Sequence, residues 1–103
     1  MAEGYQNKYV DEALYQLNDS VAYSTNAEML SAISNYVGSV GYSRVKFFAV
    51  RCSEAPLSGS AVNVIFLGSN LWGGGIGFFN SGDTRLIKIG FGNGVGYITQ
   101  ITQ

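Results

Sequence analysis

The chain has 103 residues, 47% hydrophobic and only 13% charged, with a net charge of −1, which fits one globular unit rather than a disordered chain. With no histidine, one cysteine and no run of lysine or arginine, the composition excludes a zinc centre, a Ser-His-Asp triad, an internal disulfide and a basic grip on nucleic acid. No stretch reaches the roughly 18 apolar residues of a membrane span, and the first residues lack the basic-then-apolar order of a secretory signal.

Asn7 is placed to cap a helix over residues 7–21. Its apolar residues Val10, Leu14, Leu17 and Val21 are spaced 4, 3, 4, the seam of a heptad. Asp11 and Glu12 in the first turn suit the helix dipole. Thr25 and Glu28 have capping-box spacing and predict a second helix to about Tyr36, stopped by Gly38 and Gly41. Its apolar residues Met29, Ile33, Tyr36 and Val40 repeat the same spacing, with Leu30 and Val37 beside them. Two readings stay open. Either both helices lie on the sheet of their own subunit, or the first is the end of an oligomerisation stalk that buries Val10, Leu14, Leu17 and Val21 between subunits.

From Tyr42 onward the pattern changes to alternation. Residues 42–51 place Val45, Phe47 and Ala49 on one face and Arg44, Lys46, Phe48 and Val50 on the other. Residues 60–67 oppose Val62, Val64 and Phe66 to Ile65 and Leu67. Residues 71–79 form a glycine-rich strand, expected to bulge or to admit another backbone closely. Residues 80–83 read as a hairpin turn, and residues 84–91 as a strand with Arg85, Ile87, Ile89 and Phe91 on one face. Gly92, Asn93 and Gly94 read as a second hairpin loop, and residues 95–102 as the last strand. The expected fold is α+β: N-terminal helices (residues 1–40, a stalk or packing segment), then an antiparallel β-meander of about five strands (residues 41–103). The meander is expected to close as a sandwich or barrel and to assemble as an oligomer.

The chemistry points away from an enzyme. Glu54 and Asp83 are the acids of the strand half; with Arg85 they are the one set on which a small enzyme could be built, and both acids sit in predicted turns, where acids are ordinarily solvated. The glycines at 73, 74, 75, 77, 90, 92, 94 and 96 lack the helix or the Gly-Lys-Ser/Thr that a phosphate loop needs, so they read as structural. Cys52 reads as a small core residue, not a nucleophile. No metal or cofactor is expected. What remains is a binding surface: Trp72 and Tyr97 beside Asn80 and Asp83 could stack on sugar rings or dock a protein, although large aromatics such as Trp72 and either Phe78 or Phe79 ordinarily fill a core.

A heptad-like segment over residues 7–21 leads into a glycine- and tyrosine-rich β half that ends on residues 87–101 (IKIGFGNGVGYITQI). In outline this resembles the C-terminal, knob-like receptor-binding region of bacteriophage tail-fibre and baseplate proteins. The resemblance implies a homotrimer with helices about a three-fold axis. It implies a non-enzymatic structural and attachment role, with a host-surface glycan or protein as partner, and neither nucleic acid nor membrane insertion. It places the chain in the virion, or in the bacterial cytoplasm before assembly. A monomeric α+β interaction module is the alternative.

Overall fold

The computed structural model describes residues 22–79 and 83–101. The predicted helix over residues 7–21, with Val10, Leu14, Leu17 and Val21, lies outside them. Among the described residues, one helix, α1 (Asn26–Val40), precedes five strands: β1 (Lys46–Arg51), β2 (Ala61–Gly68), β3 (Trp72–Phe79), β4 (Leu86–Gly92) and β5 (Val95–Gln100). The strands form one antiparallel sheet in the order β1-β2-β3-β4-β5. The fold is α+β, as the patterning implies. The sheet is neither a barrel nor a sandwich, because β5 does not return to pair with β1. Hairpin-length connections specify which strands are neighbours but not whether the two edges meet.

Helix α1 starts where the sequence places it. Thr25 Oγ1 accepts from Glu28 N at 3.2 Å, and Glu28 Oε1 accepts from Thr25 N at 3.2 Å, so two amides of the first turn are satisfied reciprocally. The helix runs past the expected stop at Tyr36 to Val40, with Gly38 inside it and Gly41, at φ +104°, as its C-cap. A helical Gly38 serves packing: a Cβ there would meet Asn70 Nδ2 at 2.8 Å.

The helix covers one face of the sheet. Met29, Ile33, Tyr36 and Val37 pack on Phe48 and Val50 of β1, Val62, Val64 and Phe66 of β2, Phe79 of β3, and Ile87, Ile89 and Phe91 of β4. Each such side chain contributes roughly 1.5–3 kcal/mol by leaving water. Cys52 and Leu57, fully buried, extend this core beyond the end of β1.

Strand β3 gives this face only glycines between its ends. Phe66 stands opposite Gly75 and Phe91 opposite Gly73. The two phenylalanine rings, from strands that flank β3, therefore meet over it with centroids 6.0 Å apart. The series continues through Phe48, 6.2 Å from Phe66, to Tyr36 of the helix, 5.5 Å from Phe48 and nearly perpendicular to it. At Gly75 a Cβ would collide with the carbonyl oxygen of Ile65, so a side chain cannot enter without moving backbone. Lys46 shares this covered face and is fully buried. Its Nζ donates to the carbonyls of Arg44 and, at 2.8 Å, Gly68, and burial pulls its pKa below 10.5.

Candidate functional site: the open face of the sheet

Alternation that turns one set of residues under the helix turns the other set outward. The cross-strand register arranges that set in rows. Phe47, Ile65, Ile76, Lys88 and Thr99 form the middle row. Leu67, Gly74, Gly90 and Tyr97 lie beside it on one side, and Ala49, Asn63, Phe78 and Leu86 on the other. Trp72, Gly92 and Val95 close one end, and Arg51 and Ala61 the other.

Large apolar side chains on this face stand in solvent. Val95 is 70% exposed, Trp72 63% and Leu67 58%, and Val45, Ile65, Phe78, Tyr97 and Ile101 are exposed as well. Trp72 is thus not in the core, contrary to expectation. Its parity is that of Ile76 and Phe78, and the helix took the other side of the sheet. Of the two adjacent phenylalanines, Phe79 is buried and Phe78 is exposed. A depression of about 570 Å³ runs along the centre of the face, lined by Ile65, Leu67, Ile76, Phe78, Leu86 and Lys88.

Two local devices set the aromatic end. Ser69 Oγ accepts from the amides of Leu71 and Trp72 at 3.1 and 3.0 Å, and Ser69 N donates to Trp72 O at 2.9 Å, which fixes the tight β2–β3 turn. The β4–β5 turn has Asn93 at φ +53° and Gly94 at φ +80°, the conformation expected of an Asn-Gly hairpin loop, and Gly94 N donates to Leu71 O at 3.0 Å. The two turns are thereby joined. The Trp72 indole lies over Gly92 and the Tyr97 phenol over Gly90, where a Cβ would meet the Tyr97 oxygen at 2.5 Å. Lys88 Nζ is 6.0 Å from the centre of the Tyr97 ring.

The acids singled out from the sequence do not join this group. Asp83 lies in the β3–β4 connection, at the opposite end of β3 from Trp72, about 20 Å away along the strand. It binds Arg85, with Arg85 Nη2 at 2.7 Å from Oδ2, and that hydrogen bond holds the Asp83 carboxyl below its ordinary pKa of 3.8. Arg85 in turn stacks on Phe79, 4.1 Å from the ring centre. Glu54 accepts from Asn26 N at 2.6 Å at the start of α1. Each of these acids has a local structural partner. Asn80 lies outside the described residues. Among the described residues no group of three His, Cys, Asp or Glu is placed to hold a metal ion, and no helix is long and apolar enough to cross a membrane.

Leu67, Ile65 and Val95 were not singled out from the sequence, yet they are among the most prominent features of the face. The signal was present for Ile65 and Leu67, which oppose the run of Val62, Val64 and Phe66 that faces the helix. Compared with known proteins, the chain matches no family model, no curated protein and no solved structure.

Proposed function

We propose that the chain is a non-enzymatic structural protein of the bacteriophage or prophage tail-fibre and baseplate kind, which works in the virion by assembling copies of itself, as a homotrimer, through the open face of its sheet. The observation that carries this reading is the pairing of a finished core on one side of the sheet with eight exposed large hydrophobic residues on the other: Val45, Ile65, Leu67, Trp72, Phe78, Val95, Tyr97 and Ile101. Five strands at about 4.8 Å spacing and about 20 Å length span roughly 500 Å², at the upper end of what monomers leave apolar and exposed. A standard interface takes about 800 Å² from each partner, so this face would supply most of one. Low charge favours the same use, since a buried interface centre is depleted of charged residues.

In an attachment role the aromatic end would serve a host-surface glycan or protein. Trp72 and Tyr97 are exposed beside Gly92 and Gly90, and exposed aromatic rings are surfaces on which sugar rings stack.

Absolute mass by light scattering on a sizing column tests the assembly. A mass near three times 11.0 kDa, kept on dilution, is the expected result. A monomer at every concentration overturns it and favours the second reading, a monomeric α+β interaction module. That reading has one observation in its favour: α1 already completes a core without help from another copy.

A further inference from the structure

We infer that Trp72, Tyr97 and Lys88 form one linear site for an acidic saccharide; the inference rests on the attachment role proposed above and names its ligand class. The observation that carries it is the open-face column of β4. Lys88, Gly90 and Gly92 follow one another there, about 7 Å apart on a strand. The two glycines leave their space to side chains of the neighbouring strands. A Cβ at Gly92 would touch Trp72 Cζ3, from β3, at 3.8 Å, and one at Gly90 would meet Tyr97 Oη, from β5, at 2.5 Å. An indole from one side and a phenol from the other therefore converge on β4. The Lys88 ammonium continues their line, 6.0 Å from the centre of the Tyr97 ring. All three side chains are exposed.

The charge of this row is complementary to an anion. No acid stands in the open-face rows of the five strands. The acids among the described residues are engaged elsewhere, Glu28 and Glu54 at the start of α1 and Asp83 on Arg85. The described face therefore offers the Lys88 ammonium no carboxylate of its own, and a charge-assisted hydrogen bond is open to a ligand. Thr99, the exposed cross-strand partner of Lys88, adds a hydroxyl that can donate or accept. Two ring faces followed by a cation and a hydroxyl match a short run of sugar rings that carries a negative group. Lysine acts as a point charge, so the site takes carboxylated and sulfated sugars alike.

The rest of the face does not suit such a ligand. The depression beside the row is lined by Ile65, Leu67, Ile76, Phe78 and Leu86, and Lys88 is its one charged residue. It lacks the further polar side chains that hold sugar hydroxyls, so the saccharide belongs to the Trp72–Tyr97–Lys88 row and not to the depression. Single-stranded nucleic acid also stacks on aromatic rings, but it carries a charge at every nucleotide. Here one ammonium serves the row, in a chain whose net charge is −1.

The test is a glycan array on which uronic-acid, sialic-acid and sulfated oligosaccharides stand beside neutral ones of the same ring count. The full chain is expected to bind acidic members at least tenfold more tightly than their neutral counterparts. The tightest acidic member is then titrated in solution against the emission of Trp72, the sole tryptophan of the chain, and a saturable change is expected. Lys88→Gln should lower that affinity at least tenfold, to the level of the neutral counterpart, with circular dichroism unchanged, and Lys88→Arg should restore it. Equal binding of acidic and neutral members, an unresponsive Trp72, or full affinity in Lys88→Gln overturns the inference and leaves the attachment role standing. Binding to no glycan, or tighter binding to oligothymidylate than to any glycan, overturns both. The mass by light scattering is an independent result: a monomer leaves this site intact, because all three of its residues belong to one chain.

Discussion

The two faces of the sheet are made by the same strands with the same alternation, yet they have opposite fates. On one, Phe66, Ile87 and Ile89 are sealed under α1. On the other, their immediate neighbours Leu67 and Lys88 stand in solvent. Glycine divides in a parallel way. Under the helix, Gly73 and Gly75 let two phenylalanines meet across β3. On the open face, Gly90 and Gly92 leave room beside Tyr97 and Trp72 that a side chain would take. Hydrophobicity therefore does not decide which face is the core of this chain. The helix does, through Met29, Ile33 and Val37, and the apolar residues of the face it leaves stay exposed.

The sharpest way to break this comparison is a pair of adjacent truncations. Phe66→Ala should cost about 3–5 kcal/mol of folding stability, the usual range for emptying a large core site. Leu67→Ala, one residue along and 58% exposed, should shift folding by no more than about 0.5 kcal/mol and act on assembly instead. Urea melts and light scattering on both variants separate the effects. If both substitutions cost the same stability, the faces are not distinct.

Next in size is the glycine pair. Gly75→Ala drives a methyl group into the Ile65 carbonyl and should cost about 1–3 kcal/mol. At Gly74 the nearest atom to an added Cβ is Ile89 O at 3.6 Å, so Gly74→Ala should be close to neutral in thermal melts. Smaller again is the attachment of the cover itself. Thr25→Ala removes one half of the capping box and should cost about 1 kcal/mol, read by denaturant midpoint. The smallest effect concerns the charge sealed on the apolar side. Because burial lowers the Lys46 pKa below 10.5, the unfolded chain holds its proton to higher pH than the folded one. Stability contributed through this lysine therefore rises as pH climbs from the folded pKa towards 10.5. Subtracting the stability curve of Lys46→Met from that of the natural chain should leave that rise. A flat difference would mean the ammonium group is as well solvated folded as unfolded.

Much of this was legible in the residues. Thr25 and Glu28 announce the start of α1, Asn93 and Gly94 announce the last turn, and the alternation in β2 and β4 separates the two faces correctly. Other features were not legible, for definite reasons. Alternation assigns Trp72 to the side of Phe78 without saying which side the helix will choose. The glycines of β3 look alike in sequence, and only the register shows that Gly75 faces Phe66 and Gly90 faces Tyr97. Strand β1 starts at Lys46, four residues later than the pattern from Tyr42 suggests, because local alternation carries no information on where a partner strand ends. The burial of Lys46 depends on two carbonyls, one of them on Gly68, distant in sequence. That Trp72 and Tyr97 share the open face follows from the register and not from composition. The separation of Trp72 from Asp83 by the length of β3 was not foreseeable from the sequence.

The two backbone bonds that hold Tyr23 beside Arg51 and Ser53 also have a mechanical meaning. Among the described residues, a pull applied at Ala22 reaches this clip, Tyr23 N to Arg51 O at 3.1 Å and Ser53 N to Tyr23 O at 2.8 Å, before it reaches α1. Tyr23 runs parallel to the end of β1, so a pull along the strand direction loads both bonds together in shear rather than one after the other. The side chains around the clip share the load: Asn26 N is held by Glu54, Asn26 Nδ2 by the Ala55 carbonyl, and Cys52 Sγ donates to Asn26 Oδ1. Force carried by the clip enters the meander at the end of β1, where Arg51 supplies one of its backbone partners.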